Sequence, residues 1–136
     1  MKSNALHRYY LGKYSFLIPE GFIGRVSRSF GDFAFLLSGD RTKTIELRIE
    51  KDCEGLKKEL TEVVDELGEK ILRPVAAVEI NGISGYAASY KGHRSWYYEV
   101  WLGSKDYAVR IIIRSQISMD TAAAEAWFGA LDIREG

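Results

Sequence analysis

The second half of the chain carries the pattern that most limits its fold, because from Ile71 onward apolar residues alternate with period 2. Four strand candidates follow one another there: Leu72–Ile80, Ile83–Lys91, Arg94–Leu102 and Tyr107–Arg114. Short turn sequences separate them: Asn81-Gly82, Gly92-His93 and Gly103–Asp106. Asn-Gly between alternating apolar runs is typical of a type I′ hairpin, since both residues tolerate positive φ. The pattern predicts an antiparallel meander of four strands.

The first half contains three shorter strand candidates. Tyr14–Ile18 alternates loosely and stops at Pro19, and Phe30–Leu37 ends in a turn at Ser38-Gly39-Asp40. Lys43–Glu50 is the cleanest strand in the sequence, because its apolar and polar residues point in opposite directions. We expect Phe30–Leu37 and Lys43–Glu50 to be hairpin partners.

Two segments have the period of a helix. In the first, Leu56 to Leu67, the apolar stripe is formed by Leu56, Leu60, Val63, Val64 and Leu67, and Asp52 is the predicted cap. In the second, Thr121–Leu131, the cap is Asp120 or Ser118. Its predicted buried face consists of Ala123, Trp127, Ala130 and Leu131, with Ala124 and Phe128 at the margin.

Two strands are apolar on both sides and therefore predict a central position between covering layers. They are Arg94–Leu102 and the run Ile111–Ile113. With only two helices available, the two faces of the sheet need not be equally covered. We expect one globular domain, residues 1–136, of the α+β class, in which a mostly antiparallel sheet of six to seven strands is flanked by two or more helices.

Charge and composition exclude several functional classes. The 136 residues carry 19 basic and 19 acidic side chains, divided evenly between the halves (11 and 11 in residues 1–68, 8 and 8 in 69–136), so we expect no nucleic-acid partner. Cys53 is the only cysteine, and His7 and His93 have no metal-ligand spacing. The glycines match no phosphate-binding loop. We expect no metal and no cofactor.

The N-terminal residues lack the apolar core of a signal peptide, and no run approaches the roughly 20 apolar residues of a membrane span. We therefore expect a cytoplasmic protein without a transmembrane segment. An exported protein whose signal has been removed has the same appearance.

The order of elements comes with four sequence landmarks: YSFLIPEGF (14–22), VEINGISGYAA (78–88), WYYEVWLGSKDYAVRIII (96–113) and WFGALDI (127–133). Together they resemble the PsbP-like and DcrB-like α/β/α domains over nearly the whole chain, with Phe22 where a Trp is common. The resemblance implies an α/β/α sandwich and a role that is mostly non-enzymatic. Members include photosystem extrinsic subunits, a Ran GTPase-binding protein, bacterial envelope lipoproteins and effector chaperones of the Eag type. It implies no site residues.

The candidate binding residues are aromatic. Six Tyr and Trp residues lie within sixteen positions of the meander: Tyr86, Tyr90, Trp96, Tyr97, Tyr98 and Trp101. Such residues either pack in the core or supply contact area at an interface. In the second case we expect a patch or shallow cleft formed by Tyr86, Tyr90, Tyr97 and Trp101. Its polar rim would comprise Lys91, His93 and Arg94 at the hairpin tip, with Arg25 and Arg28 from the early loop.

Two residues are candidates for chemistry. Cys53, at the expected start of a helix, is a nucleophile only if the helix dipole lowers the pKa of its thiol. His93 lies in a turn with no carboxylate beside it in sequence, the setting of an exposed histidine rather than a base. The acidic face of the first helix is typical of a solvated surface or, alternatively, a docking surface.

We therefore expect a non-catalytic module that binds a protein partner. The alternatives are a small-ligand binder or enzyme with a pocket between sheet and helix, and a homodimer that associates through its aromatic face.

Overall fold

The computed structural model describes residues 7–27 and 33–136, with side chains omitted for 25–27. The strands are β1 (Tyr9–Leu11), β2 (Tyr14–Phe16), β3 (Phe22–Ser27), β4 (Phe33–Ser38), β5 (Lys43–Lys51), β6 (Lys70–Ile80), β7 (Ile83–Lys91), β8 (Trp96–Gly103), β9 (Tyr107–Ser115) and β10 (Arg134–Glu135). The helices are α1 (Leu56–Leu67) and α2 (Thr121–Leu131). The fold class is α+β, as predicted.

The main sheet has seven antiparallel strands in the order β3-β4-β5-β9-β8-β7-β6. It consists of two meanders, β3–β5 and β6–β9, that meet where β5 pairs with β9 from Lys43↔Ser115 to Lys51↔Tyr107. The predicted four-strand meander and the β4–β5 hairpin are both confirmed. Asn81 and Gly82 have φ values of 51° and 81°, the double positive φ of a type I′ turn.

One face of the sheet packs on α2. The Asp120 side chain accepts a hydrogen bond from Ala123 N at 2.7 Å, so Asp120 rather than Ser118 is the cap. The predicted buried face was right for Leu131 and wrong in its centre: Ala124 and Phe128, expected at the margin, are buried, whereas Trp127 is half-buried and Ala130 is exposed. The segment TAAAEAWFGAL is small or apolar nearly all round, so its sequence does not define one stripe.

The other face packs on α1 through Leu56, Leu60 and Val64, three of the five residues of the predicted stripe. Val63 is half-buried and Leu67 is 46% exposed. Asp52 is not the cap, because residues 52–55 form a loop and the helix begins after Gly55 without a side-chain cap.

Three strands were not predicted: β1, β3 and β10. β3 contains Gly24, whose missing side chain lets the backbone lie against Leu36, where a Cβ would come within 2.2 Å of Cδ2. Because Gly24 has no side chain, β3 lacks the clear alternation of apolar and polar residues that would predict a strand. Residues 30–32 of the predicted strand Phe30–Leu37 lie outside the described residues.

β1, β2 and β10 form a small second sheet. Arg8 holds it to the end of α2 by donating from Nη1 to Asp132 Oδ2 at 3.0 Å and from Nη2 to the Asp132 carbonyl at 2.6 Å. Within the described ranges, neither helix has the length and apolarity needed to cross a membrane.

Candidate functional site

The α1 side of the main sheet is only partly covered. α1 packs mainly on β7 and also on β6 and β8, and on β9 it buries Ala108, so among the described residues the same face of β5, β4, β3 and the rest of β9 has no helix over it. We name this area the open half-face. Cross-strand register places these described side chains on it: Ile23, Phe33, Phe35, Leu37, Thr44, Glu46, Arg48, Glu50, Arg110, Ile112 and Arg114.

Apolar groups dominate the outer half of this surface. Ile23 is 73% exposed and Phe35 is 38% exposed, and Phe33 and Leu37 beside them are half-buried. Ile112, expected to be covered on a strand apolar on both sides, is also half-buried, because on β9 the α1-side core includes Ala108 and not Ile112. β8 matches that expectation, since Tyr98 packs toward α2 and Trp101 toward α1.

A polar cluster lies beneath α1 at the border of the open half-face. Glu99 is fully buried, and its carboxylate accepts hydrogen bonds from Tyr90 Oη at 3.0 Å and Trp101 Nε1 at 3.0 Å. Arg110 Nε donates to Glu99 Oε1 at 2.5 Å, which makes the pair a buried ion pair. Burial, and then the charge of Glu99, raises the pKa of Tyr90 far above its ordinary value. The phenol therefore remains a donor.

Three arginines lie along β5 and β9 on the open half-face. Arg110 lies over the Trp101 ring with its guanidinium carbon 4.9 Å from the centroid, and its side chain retains 17% exposure. Arg114 is exposed and donates from Nε to Ser95 Oγ at 3.0 Å. Arg48, opposite Arg110, pairs with Glu46 through Nη1 at 3.4 Å.

The structure separates the aromatic residues that the sequence grouped. Tyr90 and Trp101 are core residues beneath α1, with 0% and 4% exposure, so they form no exposed patch. Tyr97 stacks on Tyr90 with 4.9 Å between ring centroids and is half-buried. Tyr86, also half-buried, lies opposite Trp101 near the start of α1. Strand alternation placed all four on one face correctly, but it did not show that α1 lies on top of them.

The C-terminal end of α1 brings Tyr97, His93 and Arg94 together. They line an open cleft of about 410 Å³ with Arg114 and the acidic residues Glu66 and Glu69. The His93 side chain is 80% exposed, and its Nδ1 lies 3.4 Å from Glu69 Oε2, a carboxylate distant in sequence. Of the remaining rim residues, Lys91 lies over the Trp96 ring at 5.1 Å. Arg28 lies outside the described residues, as does the side chain of Arg25.

The N-terminal end of α1 borders two adjoining grooves of about 560 and 540 Å³ that share Gly55, Leu56 and Tyr86. One continues between the β6–β7 hairpin and the β8–β9 turn, where Gly85, Gly103 and Lys105 line it. Both are shallow and open to solvent. They place the predicted residue Tyr86 beside apolar surface.

Cys53 does not have the environment of a nucleophile. It lies before the helix rather than in its first turn, and its amide donates to the Lys105 carbonyl at 2.6 Å. Burial and the nearby charges of Glu59, Glu50 and Asp52 raise the pKa of its thiol, opposite to the effect of a helix dipole. Within residues 7–27 and 33–136, no three His, Cys, Asp or Glu side chains cluster as metal ligands would.

The open half-face and the Glu99 cluster were missed at the sequence level. One signal for the cluster was available: Glu99 stands between Tyr97 and Trp101 on a strand apolar on both faces, and a buried carboxylate there needs donors. For the open half-face a partial signal was available: the polar side of Lys43–Glu50 is typical of a strand with one solvated face, but it did not show which neighbouring strands share that face.

No protein-family model and no curated protein sequence matches this chain. A solved structure is similar: the solution structure of cyanobacterial PsbP (CyanoP) from Synechocystis sp. PCC 6803 matches 96% of this chain and 92% of its own with a TM-score of 0.64. The two sequences are 13% identical, so the likeness concerns the fold. The resemblance inferred from the landmarks is thus confirmed at the level of architecture, and the chain adopts the PsbP-like fold.

Proposed function

We propose that this chain is a non-catalytic protein-binding module whose partner docks on the open half-face. The observation that carries the proposal is the uneven cover of the sheet: α1 shields β6–β8, while Ile23 and Phe35 on the same face remain exposed. Adjoining exposed apolar side chains bordered by arginines are typical of interaction surfaces. The fold supports the same class of role only by analogy, since it hosts different partners.

The test compares partner capture by the wild type and an Ile23→Ser/Phe35→Ser variant. Ile71→Ser/Leu72→Ser is the matched control, because these residues are 52% and 37% exposed on β6, at the opposite edge of the sheet. We expect the identified partner to bind wild type and control with equal affinity and the open half-face variant at least tenfold more weakly. Equal loss in both variants, or in neither, contradicts the proposal. Trp101 is unsuited to this test because it is a core residue.

A second candidate function is small-ligand binding in the grooves beside Tyr86, where helix and sheet leave apolar surface accessible. A compound library screened by thermal shift tests this function, with Tyr86→Ala as the variant and Tyr10→Ala, at a 56% exposed tyrosine of β1, as the control. Binding lost only in Tyr86→Ala supports it. Absence of any Tyr86-dependent hit excludes it for the compounds screened.

A further inference from the structure

We propose that the occupant of the open half-face is an acidic amphipathic helix of a partner protein, whose carboxylates bind the terminal nitrogens of Arg110 and Arg114. This inference rests on the proposed function above and specifies the chemistry of the partner.

Both arginine side chains are anchored by hydrogen bonds within the protein. Each uses Nε for an internal contact, Arg110 to Glu99 at 2.5 Å and Arg114 to Ser95 Oγ at 3.0 Å. Across residues 7–27 and 33–136, these are the only hydrogen bonds that the two side chains make. A guanidinium has five N–H donors, so four on each remain at the terminal nitrogens.

Anchored guanidinium groups are suited to binding carboxylates. The two terminal nitrogens form a planar fork that matches the two oxygens of a carboxylate. Arg110 is held from below by Glu99 and by the Trp101 ring, so it loses little conformational freedom on binding. The charge of Arg110 is balanced by Glu99, but the anchor of Arg114 is a neutral hydroxyl.

The surrounding charges favour an acidic occupant. Among its described side chains the open half-face has three arginines and two glutamates. Glu66 and Glu69 line the cleft beside Arg114, but within the described residues neither forms an ion pair with it, and Glu69 pairs with His93. Glu46 already pairs with Arg48, and Glu50 lies at the far end of the surface, opposite Ala108. A basic segment would meet Arg110 and Arg114 without a free carboxylate between them, since the intervening residue on that face is Ile112.

The distance between the guanidinium groups of Arg110 and Arg114 limits which ligands can bind both. Residues 110 and 114 are four apart on one strand, which corresponds to about 13 Å. On one face of a helix the positions nearest to this spacing are seven and eleven residues apart, about 10 and 16 Å, so the matching carboxylates are two to three turns apart. The apolar stripe between them would face Ile112 and continue toward Phe35 on β4, where the exposed apolar groups lie.

The dimensions of the open half-face match those of a single helix. The four open strands span about 19 Å, and α1 forms a layer about 10 Å deep at their side. One helix, 10–12 Å across, fits beside α1 in that layer.

The test uses a phage library of random 18-residue peptides selected on the wild-type protein. Enriched peptides are then measured against Arg114→Glu and Phe35→Ser, with Arg41→Glu, at an exposed turn residue of the β4–β5 hairpin, as the control. Circular dichroism verifies that each variant is folded. We expect enriched peptides with apolar residues at helical spacing and a net negative charge. Their affinity should fall at least tenfold in Arg114→Glu and in Phe35→Ser, and remain unchanged in Arg41→Glu.

The possible outcomes separate this inference from the proposed function. Peptides that are basic or lack helical periodicity, yet lose binding in Phe35→Ser, overturn the acidic-helix assignment and leave the docking surface in place. Acidic helical peptides that bind Arg114→Glu as well as wild type also overturn it. If no enriched peptide depends on Phe35, both the inference and the proposed function fail.

Discussion

Glu99 depends strongly on its hydrogen-bond partners, because a fully buried carboxylate is stable only when donors surround it. Substituting Glu99→Gln leaves the Arg110 charge without its partner and turns an amide NH₂ toward groups that donate. We expect the free energy of unfolding to fall by about 3–5 kcal/mol, the cost of breaking a buried pair. Urea unfolding followed by circular dichroism measures it.

The matched control is Glu46→Gln, which breaks the Arg48–Glu46 pair on the open half-face. Surface pairs contribute about 0–1 kcal/mol, so we expect little change. Equal effects of the two substitutions would mean that burial of Glu99 is not what makes the cluster matter.

Cys53 gives a residue-scale test of the enzyme alternative. Because burial and nearby acidic groups raise the pKa of the thiol, we expect alkylation by iodoacetamide to be slow at pH 7, with a midpoint above that of an ordinary thiol. Glu59→Gln should lower that midpoint, and Glu54→Gln, at a carboxylate paired with Lys58, should lower it less. Fast alkylation at pH 7 would contradict this account and restore Cys53 as a candidate nucleophile.

Because the pKa of Tyr14 is raised in the folded protein, we expect a loss of stability in alkaline solution. Burial and the charge of Glu135 raise the pKa of its phenol from 10.0 to about 12, so the folded chain holds this proton more tightly than the unfolded chain. Above pH 10 the phenol ionises in the unfolded chain but stays protonated in the folded chain. The free energy of unfolding therefore falls as the pH rises from 10 to 12.

Tyr14→Phe should flatten the decline in stability over that range, and Tyr10→Phe, at an exposed position, should leave it unchanged. Denaturant unfolding at a series of pH values measures both. An unaltered slope in Tyr14→Phe would assign the alkaline transition to other groups.

At the scale of elements, the caps of the two helices differ. α2 has a side-chain cap at Asp120, whereas α1 has none. We expect Asp120→Ala to destabilise the protein by about 1 kcal/mol, because the Ala123 amide loses its partner. Ser118→Ala should change stability by less than about 0.5 kcal/mol, as surface substitutions usually do. Thermal unfolding of the two variants decides between the caps that the sequence left open.

Elements with strong periodicity were predictable, and elements defined by tertiary contacts were not. The Asn81-Gly82 hairpin was predictable because its turn geometry is local, and α1 because its apolar stripe is unambiguous. β10 has two residues and exists through pairing with β2, to which no local pattern points. Of the site, alternation grouped the aromatic residues on one face. The extent of α1's cover, which decides their exposure, is a property of packing.

At the scale of the whole molecule, the sheet separates two cores that share β8. Tyr98, Val100 and Leu102 belong to the core on the α2 side, and Trp101 belongs to the core on the α1 side. Because β8, like β7 and β9, supplies side chains to both cores, we expect the cores to unfold together. Leu60→Ala beneath α1 and Leu131→Ala in α2 should each cost about 2–5 kcal/mol and preserve a single transition.

Tryptophan fluorescence and far-UV circular dichroism should give coincident unfolding curves for both variants. Leu67→Ala, at an exposed leucine of the same helix as Leu60, is the control and should be much milder. An early fluorescence change in Leu60→Ala with the dichroism intact would show that the α1 side opens separately.

The pairing of β5 with β9 affects the rate of folding. Within each meander successive strands are neighbours in the chain, so their pairing closes short loops and is fast. Joining the meanders brings Lys43 to Ser115 and Lys51 to Tyr107. The chain between these residues loses conformational entropy before the contacts between β5 and β9 form and stabilise the sheet. We therefore expect the meeting of the two halves to limit the folding rate, and until they meet β5 and β9 each present an unpaired edge.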